Sequence, residues 1–209
     1  MFDWREREHE NEDRRRSNDP NNIRALQNCG LLKFFEIPGM RAQLGLVEHL
    51  IGLWDASNKY FCVGEHLLTL EIDDIYFLTG HSRRGDHVTL VGKRTSGTPT
   101  ETLIHRHCVA GTQKSGGKIP ITAIKYLPFK AILYSITRAV GSVASHVATE
   151  TQMLYALECL EPLVFNWCDG VLRNMRDQIT KCKKGKLMDF GYGSIMISLF
   201  LEMVPLYHP

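Results

Sequence analysis

Phe61-Cys62-Val63-Gly64-Glu65-His66-Leu67-Leu68-Thr69-Leu70-Glu71-Ile72-Asp73-Asp74-Ile75 decides the fold. The first half has the composition of two short strands around a Gly-Glu turn, so the spacing predicts a small β-hairpin over 59–70. The period then changes. Thr69 is placed to cap a helix whose first turns carry Glu71, Asp73 and Asp74, where carboxylates suit the helix dipole. Adjacent helical side chains point apart, so Asp73 and Asp74 read as dipole complements rather than a facing acid–base pair. Ile72, Ile75, Tyr76, Phe77 and Leu78 leave this helix little polar face, which predicts a buried element, and Gly80 ends it.

Upstream, Leu44, Val47, Leu50, Ile51 and Trp54 recur at helical spacing, with Arg41, Gln43, Glu48 and Asp55 opposite. Pro38-Gly39 marks a turn. Ile23 to Cys29 read as a short helix capped by Asn22 and stopped by Gly30. Residues 1–22 carry five arginines against seven carboxylates and almost nothing apolar. Such a segment cannot bury enough surface to offset its ordering entropy, and it is expected to be disordered or a frayed helix. Downstream, 81–118 is rich in Gly, Ser, Thr, Lys and Arg and reads as a long flexible connection with one short ordered piece near Leu103–Val109. Beyond Pro120 the chain turns helical. Phe129, Ile132, Leu133, Ile136 and Val140 mark one stripe, with Pro128 at its first position and Gly141 as its stop. Met153, Leu154, Leu157 and Leu160 mark a second. Val164, Trp167, Cys168, Val171, Met175 and Ile179 mark a third, started by Pro162. Ile195, Met196, Leu199, Phe200 and Met203 mark a fourth, closed by Pro205. The expected fold is mainly α: an irregular helical domain over 23–209 with one hairpin.

The chain has 209 residues, 44% hydrophobic and 23% charged, with a net charge of +2. That balance argues against a histone-like, polyanion-wrapping chain, and the length suffices for one core without metal or disulfide. No apolar run opens the sequence as a secretory leader would, and none approaches the length of a membrane span, so no membrane partner is expected. Cysteines at 29, 62, 108, 159, 168 and 182 form no CxxC pair and are expected to be free thiols.

Several short motifs suggest chemistry and then fail on spacing. Gly111 to Lys118 resembles a phosphate loop, but the interval is one residue too long and Ile119 stands where a hydroxyl would hold magnesium. Asp189-Phe190-Gly191 has no kinase catalytic loop before it. Gly191-Tyr192-Gly193 lacks the third glycine of a dinucleotide fingerprint. His105, His107 and Cys108 could donate to zinc in a metal-dependent enzyme, with His66, His81 or His87 as a fourth ligand only through tertiary contact. No Ser-His-Asp or Cys-His set can be assembled, and no catalytic residue, cofactor, metal or small-molecule substrate is assigned. The strongest charge signal is Arg173, Arg176, Lys181, Lys183, Lys184 and Lys186, opposed locally by Asp177. These cations either complement a helix C-terminus or contact a partner or nucleic acid, the latter helped by the loop Arg83–Lys118.

The stretch from Ala25 to Gly92 resembles the plant mobile domain family. Leu26-Gln27-Asn28-Cys29-Gly30-Leu31-Leu32 is similar to that family's opening helix, and Leu46 to Trp54 to its helix ending in tryptophan. Phe61 to Ile75 resembles its strand, Gly-Glu turn, strand and acidic helix start, and Phe77-Leu78-Thr79-Gly80 the close of that helix. Met153 to Leu157 and Phe190 to Ile195 resemble segments of transposon-associated versions. The tryptophan-rich helices that follow the early core in the family are poorly matched, and family domains are usually longer. The resemblance implies a nuclear, non-catalytic module acting in transposable-element silencing, transcriptional regulation and meristem or genome maintenance. It also implies protein partners, a phosphoprotein-phosphatase-like protein among them. The alternative is a nucleic-acid-binding fragment of a transposon-derived protein.

Overall fold

The computed structural model describes residues 20–32, 44–89, 100–112, 118–139, 147–160, 165–186 and 191–203. The hairpin forms where the Gly-Glu turn places it. Strands β2 (Tyr60–Val63) and β3 (His66–Thr69) pair antiparallel, with Val63 opposite His66 across the two-residue loop. Gly64 takes a φ of 59°, the conformation required at the first loop position of a II′ turn and open to glycine at no steric cost. A third strand, β1 (Trp54–Asp55), extends the hairpin to a three-stranded sheet. The turn from β1 to β2 is built by Asp55, whose Oδ1 accepts the Ser57 and Asn58 amides at 2.8 and 2.9 Å. Those bonds, the Asn58 amide foremost, hold the Asp55 carboxyl below its usual range.

Eight α-helices accompany this sheet among the described residues. They are α1 (Pro20–Asn28), α2 (Leu44–Gly52), α3 (Ile72–Thr79), α4 (Thr100–His107), α5 (Leu127–Ala139), α6 (Glu150–Glu158), α7 (Trp167–Lys183) and α8 (Gly193–Met203). The mainly helical expectation therefore holds. Helix α1 is described from Pro20, and Asn22 lies buried within it instead of capping it. Gly30, at φ 73°, closes α1 with Leu31 N–H donating to Leu26 O at 2.9 Å, a Schellman arrangement. Helix α3 begins two residues later than expected. Thr69 stays in the ladder opposite Tyr60, Glu71 becomes the N-cap, and Asp74 accepts the Glu71 amide at 2.7 Å. Gly80, in the left-handed region at φ 64°, ends it. This helix is not buried throughout: Ile75 and Thr79 are, but Phe77 is 75% exposed. An eight-residue helix packed against α7 and α8 has only one covered face. Helix α7 is capped by Asn166, which accepts the Asp169 amide at 3.0 Å, while Pro162 lies outside the described residues. Helix α6 has a reciprocal capping box between Thr149 and Gln152.

The expected flexible connection over 81–118 is largely replaced by ordered elements in its described parts. Strand β4 (Asp86–His87) pairs parallel with β7 (Phe165–Asn166), Val88 is fully buried, and α4 covers 100–107. Non-local backbone pairing compensates for the weak apolar pattern there. Strand β5 (Lys118–Pro120) pairs antiparallel with β6 (Val147–Thr149), and Cys108 bridges to Ile124. Residues 90–99 and 113–117 lie outside the described set, as do 1–19 of the charged segment expected over 1–22, and Gly141 and Pro205.

One hydrophobic core joins the two halves of the chain. Helix α8 packs on α2 and α3, α7 packs on α2, α3, β1 and β4, and α5 packs on α1 and α6. The Trp54 ring meets Phe61 at 4.8 Å, and Phe61 meets Phe200 of α8 edge-on at 5.0 Å. Tyr155, Phe165 and Trp167 form a second aromatic group, each ring within 6.0 Å of the others. Such tilted contacts contribute about 0.5–1.5 kcal/mol each beyond area burial.

Candidate interaction surface

Helix α7 and the turn after it carry the six cations singled out from the sequence, and the geometry divides them. Arg176 and Lys183 face the sheet. The Arg176 guanidinium donates to Leu70 O, and Lys183 Nζ donates to Trp54 O and, at 2.7 Å, to Gly52 O. Between them, Thr180 Oγ1 accepts the Trp54 indole N–H at 3.0 Å. This edge of α7 is a row of donors and acceptors that holds the ends of β1 and β3. Hydrogen bonds from charged donors contribute about 1.5–3 kcal/mol, so these cations are fasteners of the fold.

Arg173 and Lys181 lie on a different edge. Arg173 donates to Val88 O at 2.7 Å and pairs with Asp169 at 3.0 Å, and Lys181 pairs with Asp177 at 2.7 Å. Asp169, Arg173, Asp177 and Lys181 thus alternate in sign at four-residue intervals, with each acid N-terminal to its base, the favourable orientation. An open cleft of about 280 Å³ runs beside this row, lined by Val88, Thr89, Arg173, Asn174, Asp177 and Lys181. Two of the lining side chains are cations and one is a carboxylate, but each cation is paired with an acid of α7, so the lining suits a mixed-charge contact better than a polyanion. His87 joins the row, its Nδ1 3.0 Å from Asp169. Lys184 and Lys186 are exposed in the turn after α7. The structure therefore does not bring the six cations into one patch: two hold the sheet, two are in acid–base pairs, and two stand at the helix end.

The histidine–cysteine group is dispersed as well. His105 and His107 lie two positions apart on α4, about 200° around the helix. His107 stacks near Phe129 at 5.1 Å, and burial together with Arg106 lowers its pKa. Cys108 is buried beside Ile124, and burial raises its thiol pKa. Among the described residues, no three His, Cys, Asp or Glu side chains gather as a metal site. Asp73 and Asp74 separate into different jobs. Asp73 pairs with Arg83 at 2.6 Å, while Asp74 serves the α3 cap and burial raises its pKa.

The sequence reading missed three exposed large apolar side chains. Leu44 on α2, Phe77 on α3 and Leu201 on α8 are 76%, 75% and 67% exposed, and α8 packs against both of the other helices. The sequence reading put Leu44 in an apolar stripe and Phe77 on a buried helix; both expectations are corrected, because these residues sit on helices too short to hide both sides. No helix among the described residues is long and apolar enough to cross a membrane. No family model, curated protein or solved structure matches the chain.

Proposed function

We propose that this chain is a non-catalytic nuclear protein-interaction module of the plant mobile domain type, serving transposable-element silencing, transcriptional regulation or meristem maintenance. The observation that carries the interaction reading is the exposure of Leu44, Phe77 and Leu201 on α2, α3 and α8, of which α8 packs on the other two. Large apolar side chains left exposed favour a protein partner, because covering them removes apolar area from water. The family and the nuclear role rest on the resemblance of Phe61 to Ile75 and its flanks. The partner proposed is a phosphoprotein-phosphatase-like protein. Direct binding of such a protein to the purified chain tests this, with Phe77→Asp and Leu201→Asp compared with the native chain. Binding that falls at least tenfold in both variants, with unchanged melting temperature, supports the reading. Absence of binding, or binding indifferent to both substitutions, removes it.

A further inference from the structure

The three-stranded sheet has two edges, and the rest of the chain treats them differently. On the β1 side, Trp54 O accepts Lys183 Nζ, and α7 packs on β1. On the other side stands β3, which pairs with β2 and, among the described residues, with no further strand. In an antiparallel pair, successive residues turn their N–H and C=O alternately towards the partner and away from it. Cys62 turns away from β3, since its N–H donates to Leu53 O at 2.8 Å on the β1 side. Leu67 lies opposite Cys62 and Thr69 opposite Tyr60, so both turn their N–H and C=O outward from the sheet. Both residues are exposed, Leu67 at 60%. The strand His66-Leu67-Leu68-Thr69 contains no proline, lysine or other charge of the kind that blunts an open edge.

Charge gives the occupant of this edge its sign. Residues 65–74 hold four carboxylates, Glu65, Glu71, Asp73 and Asp74, and no lysine or arginine. Asp73 is paired with Arg83 and Asp74 serves the α3 cap, while Glu65 and the N-cap Glu71 flank β3 as exposed residues. We propose that β3 is a docking edge for an extended, lysine- or arginine-bearing segment of a partner protein, which joins the sheet as a fourth strand antiparallel to β3. Leu67 and Thr69 each exchange an N–H and a C=O bond with alternate residues of that segment. Its cations meet Glu65 and Glu71, and an apolar side chain opposite Leu67 covers it. A second copy of this chain is a poorer occupant. The two-fold pairing that uses all of these backbone groups sets Leu67 against Thr69 and brings Glu65 to Glu71 of the other copy, like charge to like. This inference goes beyond the reading above and does not depend on Leu44, Phe77 or Leu201.

The probe is a synthetic peptide, Lys-Thr-Val-Thr-Val-Thr-Lys, blocked at both ends and added to the full chain, with binding followed by NMR and by hydrogen exchange at single backbone amides. In the antiparallel register its lysines stand opposite Glu71 and Glu65, and its valines opposite Thr69 and Leu67. The expected result is saturable binding that slows exchange at Leu67 and Thr69 by about tenfold or more. N-methylation of both valines, whose amides face β3, should weaken binding by at least about tenfold, whereas N-methylation of the threonines should leave it unchanged. Thr69→Pro removes one outward donor without touching the ladder to β2, and should weaken binding about tenfold at an unchanged melting temperature. The methylated peptides decide the matter on the native chain if that variant fails to fold. Absence of binding overturns the proposal. So does binding that survives methylation of the valines, or that leaves both amides exchanging freely, since either result means contact through charge alone. Protection of Leu67 and Thr69 that rises with protein concentration in the absence of peptide would assign the edge to a second copy and overturn it as well.

Discussion

His81 offers a sharp test of the packing between the N-terminal and C-terminal halves. It is fully buried beside α7: the Cys168 thiol donates to its carbonyl at 3.1 Å, and its own amide donates to Thr79 Oγ1 at 3.2 Å. Burial pushes the imidazole pKa down to about 3, with the Gly30 backbone opposing the shift. In the unfolded chain the same ring titrates near 6.5. Above that pH both states hold it neutral, and it has no effect on the pH dependence. As the pH falls from 6.5 towards 3, the unfolded chain binds a proton that the folded protein refuses, so stability is lost in that window. At about pH 5 the unfolded ring is more than nine-tenths protonated and the loss is about 2 kcal/mol. Replacing the ring with His81→Phe removes this titration. Urea unfolding of both proteins at about pH 7.5 and about pH 5 gives the comparison, since carboxylate effects common to both cancel. The native protein should lose about 2 kcal/mol more than the variant between the two pH values. Parallel losses would show that the ring is solvated, and the burial of His81 beside α7 would be wrong.

Gly170 on α7 has Val88 Cβ 2.9 Å from where its own Cβ would stand, so Gly170→Ala forces β4 and α7 apart. It should cost about 1–3 kcal/mol in urea unfolding despite alanine's better helix propensity. Lys183→Met removes two charged hydrogen bonds to the chain around β1 and should cost about 1.5–3 kcal/mol in urea unfolding, whereas Lys186→Met in the exposed turn should change stability by less than about 0.5 kcal/mol.

The hairpin was legible because its signal is local: a glycine at the loop position that needs a positive φ, flanked by strand-forming residues. The long stripes on α5 and α7 were legible for the same reason, since Phe129, Ile132 and Ile136, or Val171, Met175 and Ile179, face one core side at helical intervals. The two-residue strands β1, β4 and β7 carry no period, and their pairing depends on partners brought in by tertiary structure. The cap of α3 moved from Thr69 to Glu71 because cross-strand pairing with Tyr60 outweighed a favourable capping residue. The cations of α7 were visible as a cluster, but their uses were not. Their acceptors are backbone carbonyls at 52, 54, 70 and 88, and a carbonyl leaves no mark in a sequence.

That arrangement has a consequence for the order of assembly. Gly52, Trp54, Leu70 and Val88 all receive their donors from residues 173–183, and the Cys29 carbonyl receives its donor from Trp167. During synthesis the earlier segments leave the ribosome many seconds before those donors exist. Until then those carbonyls accept hydrogen bonds from water, and the N-terminal half gains its intramolecular donors only when α7 is available, with α8 still to pack on α2 and α3.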